Sequence, residues 1–126
     1  ALQMKYRTML KYGPNRGAVS AYGARIAKAN WDDAMFLNAI SWWTVDDADA
    51  AHRNVDQAYD WAVRADELTD HKDAQIMDTL ARCLWEQGKR DKAIALQRKA
   101  VEHASEQMKD SIQSTLDQYL TEAAQG

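Results

Sequence analysis

The chain has 126 residues, of which 46% are hydrophobic and 28% charged, and its net charge is −3. This size and composition are typical of a single globular domain. The absence of a long basic run argues against a nucleic-acid partner, because contacts to phosphates need clustered Lys and Arg. No apolar stretch approaches the ~20 residues of a membrane span, so we expect no membrane insertion.

Apolar residues recur at helical spacing along the chain, while a single Pro and few β-branched residues favour helix over strand. We predict an all-α fold in which Asn30 or Asp32 caps the third helix. The polar loop 46–54 is expected to be a passive connector that tolerates shortening, because loop-closure entropy changes slowly with length. The seven predicted helices cover 2–12, 18–29, 33–45, 55–68, 74–87, 90–104 and 106–123.

Each predicted helix carries one apolar face. The residues expected to point inward include Leu2, Tyr6, Met9 and Leu10 in the first helix and Met108, Ile112, Leu116, Tyr119 and Leu120 in the last. The opposite face of the last helix is polar, which is typical of a helix that caps the end of a stacked array.

Small residues recur at fixed spacings. Gly88 precedes Ala93 by five positions and Ala100 follows by seven, while Ala58 and Ala65 repeat the interval of seven. Small side chains let antiparallel helices approach closely, and Gly allows a tight turn. Ala58 and Ala93 are 35 positions apart, close to the ~34-residue period of a stacked helix–turn–helix repeat. We predict a single domain over 1–126, with helical hairpins at about 2–29, 33–68 and 74–104 and a capping helix at 106–123.

These marks resemble the tetratricopeptide-repeat family, best over 74–105 and more weakly over 34–69 and 2–29. Gln97 departs from the pattern, because an aromatic residue is usual there. The resemblance implies a right-handed solenoid of helical hairpins whose first helices line a concave groove, and such arrays usually bind proteins or peptides.

A narrower resemblance covers LNAISWW (37–43) and DTLARCLWEQGKRDKAIALQRKA (78–100). These segments look like the C-terminal helical tail of some bacterial thioredoxin-like proteins. The resemblance implies a larger parent protein in the periplasm or cell envelope, with a redox domain N-terminal to this chain. The first residue is Ala rather than Met, which agrees with a fragment of such a parent. A Cys-x-x-Cys motif needs two cysteines, and this chain has one.

The expected groove combines aromatic and charged residues, which are common anchors of binding surfaces. Arg82 and Trp85 are the predicted main anchors, followed by Trp42 and Asn38. In the competing interpretation, Trp42 or Trp43 and Trp85 fill gaps against the polar loop and the terminal helix. The residues assigned to the groove are Asn38, Trp42, Gln75, Asp78, Thr79, Arg82, Trp85 and Glu86.

No pattern of catalytic residues is recognisable, so we predict a chain that is not an enzyme and needs no cofactor. Cys83 falls in the middle of a helix and is expected to be packed rather than reactive. The histidines lack the spacing of a helical zinc site. The acidic residues Asp46, Asp47 and Asp49 lack the Gly and Glu of a calcium loop. The predicted function is a protein-protein interaction module that binds a protein, a peptide or the parent's own N-terminal domain. The alternative is a structural packing or dimerisation tail.

Overall fold

A computed structural model describes residues 2–46 and 48–126 of the chain. The described residues form seven α-helices and no strand, which confirms the predicted all-α class. The helices are α1 (Leu2–Tyr12), α2 (Arg16–Ala29), α3 (Ala34–Asp46), α4 (Val55–Leu68), α5 (Ala74–Glu86), α6 (Arg90–His103) and α7 (Glu106–Gln125).

Short polar side chains cap the N-termini of four helices, where they accept hydrogen bonds from backbone N–H groups that have no partner within the helix. The carboxylate of Asp33 accepts a hydrogen bond from the N–H of Phe36 at 3.0 Å. The cap of α3 is therefore Asp33, and the expectation of Asn30 or Asp32 is wrong. Asn30 instead ends α2, where its side chain donates to the carbonyl of Ile26. Asn15, Asn54 and Asp73 cap α2, α4 and α5 in the same way.

Helix α5 ends in a tight turn at Gly88. Its φ of +82° lies in the left-handed region, which glycine adopts without steric cost. The N–H of Gly88 donates to the carbonyl of Trp85 at 3.0 Å, and the N–H of Lys89 donates to that of Leu84 at 2.9 Å. These bonds satisfy the last carbonyls of α5 and reverse the chain into α6.

Helices that follow each other in the chain pack together. The one weak contact among these consecutive pairs is that between α2 and α3. A second set of contacts joins alternate helices. Helix α3 touches both α1 and α5, and α2 touches α4. The odd-numbered helices α1, α3 and α5 therefore lie side by side, and the site described below lies on their side of the molecule.

The core is a continuous series of apolar clusters between the helices. Tyr6 and Leu10 of α1, both predicted to point inward, are buried with Trp61 and Ile76. Leu2 and Leu120 were also expected inside, but they are 54% and 36% exposed. Both expectations are wrong, because these residues lie near the ends of the outermost helices, where no further helix covers them. The repeated alanines are all fully buried, namely Ala58, Ala65, Ala93 and Ala100.

Replacing Ala100 by Leu tests how closely α5 and α6 pack. Ala100 is fully buried beside Met77 and Ile112, so added methylenes must displace their neighbours, which typically costs about 1–3 kcal/mol. Ala95 is exposed on the same helix, and Ala95→Leu provides the matched control. We expect urea unfolding to show a lower midpoint for Ala100→Leu only. Equal midpoints for the two variants would contradict the close packing of this interface.

The polar segment between α3 and α4 does more than connect them. The N–H of Asp49 donates to the carbonyl of Leu10 at 3.1 Å. His52 Nδ1 lies 3.1 Å from the same oxygen, so that nitrogen carries the proton. Arg16 donates to the carbonyl of Ala50 at 3.0 Å. The expectation of a passive connector is wrong, because the segment holds the C-terminal end of α1 and the start of α2. Asp47 lies outside the described residues.

The turn between α4 and α5 contains an ion pair that titrates. His71, at a left-handed φ of 58°, places Nδ1 2.5 Å from the carboxylate of Asp66. The hydrogen bond to this carboxylate, followed by its charge, raises the pKa of His71 above its usual value.

We expect this histidine to make stability depend on pH. Because its folded-state pKa is raised, its contribution is complete below the unfolded pKa of about 6.5 and disappears as pH rises through the higher folded value. The melting temperature of the wild type should therefore fall relative to that of His71→Gln between about pH 6 and pH 9. Calorimetry at several pH values measures this difference. Parallel curves for the two proteins would refute the coupling.

Candidate binding groove

A concave surface lies between α3, α5 and α7. At its centre is a cavity of about 490 Å³, which we call the central cavity. Met35, Asn38, Ala39, Trp42 and Trp43 of α3 form one wall, Gln75, Asp78 and Thr79 of α5 form the floor, and Gln107, Met108, Ser111 and Ile112 of α7 form the other wall. The surface is mixed, with large apolar side chains beside amides and hydroxyls.

A smaller cavity of about 210 Å³, the α5–α7 recess, adjoins the central cavity. The two share Trp42 and Asp78, so they lie side by side, and together we call them the groove. All eight residues assigned to the groove from the sequence line one or both cavities. The recess is lined by Trp42, Asp78, Arg82, Trp85, Glu86, Thr115, Gln118, Tyr119 and Glu122.

The groove residues differ in how much of their side chains a ligand can reach. Gln75 is exposed, whereas Thr79 is buried and donates its hydroxyl to the carbonyl of Gln75 at 3.2 Å. Asn38 is 6% exposed. Among the described residues, its side-chain oxygen has no hydrogen-bond partner. Gln75 therefore offers direct polar contact, while Thr79 supports the floor.

Arg82 is already engaged within the protein. Its guanidinium donates to the carboxylate of Asp46 at 3.1 Å, to the carbonyl of Val45 at 3.2 Å and to Glu86 at 3.3 Å. It also lies 5.8 Å from the ring centroid of Trp42. These contacts tie α5 to the C-terminal end of α3. Arg82 therefore shapes the groove, and most of its donors are used before any ligand arrives.

Trp85 is likewise held by neighbouring side chains. Its ring stacks on Tyr119 with a centroid distance of 4.3 Å and an interplanar angle of 12°. The guanidinium of Arg90 lies 4.6 Å from its centroid. The stacking joins α5 to α7, which agrees with the interpretation that Trp85 packs against the terminal helix. Trp42 is half-buried and lines both cavities, which makes it the better placed tryptophan for contact with a ligand.

Gln97, where the repeat pattern favours an aromatic residue, joins three helices. It is fully buried, and its amide donates to the carboxylate of Asp78 at 2.8 Å and to the carbonyl of Ile112 at 3.1 Å. Burial raises the pKa of Asp78 despite the hydrogen bond from Gln97 and the charge of Arg82, both of which lower it. An aromatic ring at position 97 would leave this carboxylate without its donor, which explains the departure from the pattern.

Sequence reasoning missed the contribution of α7 to the groove, because it assigned this helix to capping alone. The α7 residues that line the two cavities recur every three or four positions, singly or as adjacent pairs, which places them on one side of the helix. That stripe of mostly polar residues is visible in the sequence, but its meaning depends on knowing where α7 packs. The residues are Gln107, Met108, Ser111, Ile112, Thr115, Gln118, Tyr119 and Glu122.

Cys83, the single cysteine of the chain, does not line the groove. Cys83 is buried beside Ser41, with its sulfur 3.5 Å from the hydroxyl oxygen. Burial raises the pKa of its thiol to about 12, so the thiol stays protonated and a poor nucleophile at neutral pH.

In the part of the chain that the structure describes, no three His, Cys, Asp or Glu residues are grouped to hold a metal ion. Across residues 2–46 and 48–126, no helix combines the length and apolar character that a membrane crossing requires.

Comparison of the chain with models of protein families, with curated proteins and with solved structures finds no match. The resemblances to tetratricopeptide repeats and to thioredoxin-like tails therefore rest on the residues quoted for them.

Proposed function

We propose that this chain is a non-catalytic protein-binding module, a tetratricopeptide-like solenoid of three hairpins and a capping helix that holds a protein segment in the groove. The observation that carries the proposal is the pair of adjoining cavities between α3, α5 and α7. Half-buried Trp42 and Met108 offer apolar contact, and exposed Gln75 and Ser111 offer hydrogen bonds on opposite sides. Such a mixture of aromatic centre and polar rim is typical of protein interfaces.

A bulky side chain placed in the central cavity tests this function. Ser111 is exposed on α7 and lines the cavity, so Ser111→Trp should occupy it without disturbing the core. Ser114 is exposed on the same helix and lines neither cavity, which makes Ser114→Trp the matched control. Peptides selected from a display library on the wild-type chain are then measured against both variants by fluorescence anisotropy.

We expect Ser111→Trp to weaken the selected peptides by at least about tenfold, the loss of a typical interface anchor. Ser114→Trp should bind like the wild type. Circular dichroism and the unfolding midpoint verify that both variants are folded. If the peptides bind both variants equally well, the groove is not their site and the proposed function fails.

The alternative, a packing or dimerisation tail of a thioredoxin-like parent, is supported by a different surface. Leu2, Met4 and Met35 are each about half exposed. Leu2 and Met35 also line a shallow cavity of about 540 Å³ beside Phe36. Leu2 lines this shallow cavity but neither cavity of the groove, and in this alternative Leu2→Lys abolishes self-association or docking to the parent's N-terminal domain. A monomeric chain in sedimentation analysis, with peptide binding intact in Leu2→Lys, would favour the groove instead.

A further inference from the structure

Acidic side chains outnumber basic ones in the α5–α7 recess. Asp78, Glu86 and Glu122 line it with a single arginine, Arg82. Arg82 is paired with Glu86 and with Asp46 outside the recess. Within residues 2–46 and 48–126, neither Asp78 nor Glu122 forms an ion pair. The recess therefore keeps carboxylates that a positively charged ligand group can neutralise.

A buried hydroxyl in the recess also lacks a partner. Tyr119 lines the recess and is 4% exposed, yet its hydroxyl has no hydrogen-bond partner among the described residues. Burial raises the pKa of this phenol, so it stays neutral and its oxygen accepts hydrogen bonds. An unpaired buried hydroxyl is unfavourable. An N–H donor from a ligand would supply the missing partner.

The aromatic rings of the recess already attract guanidinium groups. Arg82 lies 5.8 Å from the centroid of Trp42, and exposed Arg90 lies 4.6 Å from that of Trp85. Arg90 does not line the recess, and its hydrogen bond of 3.5 Å goes to the backbone carbonyl of Glu122 rather than to the carboxylate. Cations are drawn to the faces of such rings, tryptophan above all.

We propose that the α5–α7 recess receives the Arg or Lys side chain of a protein segment, whose neighbouring apolar residues lie in the central cavity against Trp42 and Met108. A recess of about 210 Å³ has room for one long side chain but not for a helix or strand. It adjoins the central cavity, which is more than twice as large. The ligand is therefore a basic residue within an apolar segment, and this inference rests on the binding function proposed above.

The test uses acetylated peptides of equal length with Arg, Lys, Gln or Glu at one central position and mixtures of Leu, Met and Ala around it. Binding is followed by the indole ¹⁵N–¹H signals of Trp42 and Trp85. We expect the Arg and Lys peptides to shift both signals at roughly tenfold lower concentration than the Gln and Glu peptides, the gain from one charge-assisted contact. Methylguanidinium alone, lacking the apolar flanks, should bind more weakly than the Arg peptides.

Two variants separate charge from fold. Glu122→Gln should weaken the Arg peptides by roughly fivefold, whereas Glu102→Gln, the same change at an exposed position of α6, should not. Tyr119→Phe should also weaken them without lowering the unfolding midpoint, because the lost hydroxyl has no internal partner.

The inference is overturned if the Gln peptides bind as tightly as the Arg peptides, or if methylguanidinium alone binds as tightly as the Arg peptides. It is also overturned if Glu122→Gln and Glu102→Gln bind the Arg peptides equally well. None of these results affects the proposed function, which is tested separately by Ser111→Trp.

Discussion

Removal of α7 is expected to unfold the domain or leave it prone to aggregation. Ile112, Leu116 and Tyr119 are buried, and each such side chain contributes about 1.5–3 kcal/mol on burial. The loss of roughly 5 kcal/mol or more is comparable with the whole stability of a typical domain. The deletion also removes the stacking of Tyr119 on Trp85 and the carbonyl that Gln97 binds. Light scattering and far-ultraviolet circular dichroism of a chain ending at residue 105 measure the outcome.

The matched control ends the chain at residue 122. Residues 123–126 are exposed, so their removal is expected to shift the unfolding midpoint little. A chain ending at residue 105 that is monomeric and unfolds cooperatively would show that α7 is not required for the fold. In that case its stripe of groove-lining residues would be the remaining reason for the helix, and peptide binding should be lost while stability is kept.

Helix periodicity made most of the architecture predictable. The apolar spacing placed all seven helices, and the fully buried Ala93 and Ala100 lie where the repeat predicts small residues. Periodicity identifies the buried face of a helix but not the element that covers it. For that reason Leu2 and Leu120 were placed in the core, although no neighbouring helix reaches them.

The groove could be predicted in part, for a related reason. A residue's position on a helix determines the surface to which it belongs, so all eight assigned residues line the two cavities. The partners of those residues depend on contacts between distant segments. Arg82 bonds to Asp46 and Val45, and Trp85 stacks on Tyr119. Neither contact follows from spacing within one helix. Because of these contacts, Arg82 and Trp85 hold the walls of the groove in place, whereas the sequence had predicted them as the main ligand contacts.

The segment after α3 shows the same limit for loops. Its polar composition suggested a passive connector, because polar residues alone carry no sign of what they bind. The structure uses backbone groups instead, with Leu10 accepting from Asp49 and His52. Contacts of this kind depend on the position of main-chain atoms, and side-chain patterns do not reveal them.

Replacing Trp61 by Ala is expected to destabilise the domain by about 3–5 kcal/mol, the usual cost of truncating a buried aromatic side chain. Trp61 is 3% exposed on α4 and meets Tyr6 edge to face, with ring centroids 5.7 Å apart. Gly23 allows this approach, because a Cβ atom built there would lie 2.8 Å from the Trp61 ring and 2.7 Å from that of Tyr6. Trp61 therefore joins α4 to both helices of the first pair, and its loss opens a cavity where three helices meet.

Trp31 provides the matched control, because it is 41% exposed in the turn before α3. Trp31→Ala should lower the urea midpoint much less than Trp61→Ala, since the exposed ring leaves no buried cavity when it is removed. Tyr6 buries its hydroxyl against Thr44 of α3, so a weakened Trp61 contact should also loosen α1 from α3. In hydrogen-exchange measurements, we therefore expect the backbone amides of α1 to exchange faster in Trp61→Ala than in the wild type. This difference should appear at denaturant concentrations where the amides of α5 and α6 remain protected. Equal midpoints for the two tryptophan variants would place the main stabilising contacts of the first pair elsewhere.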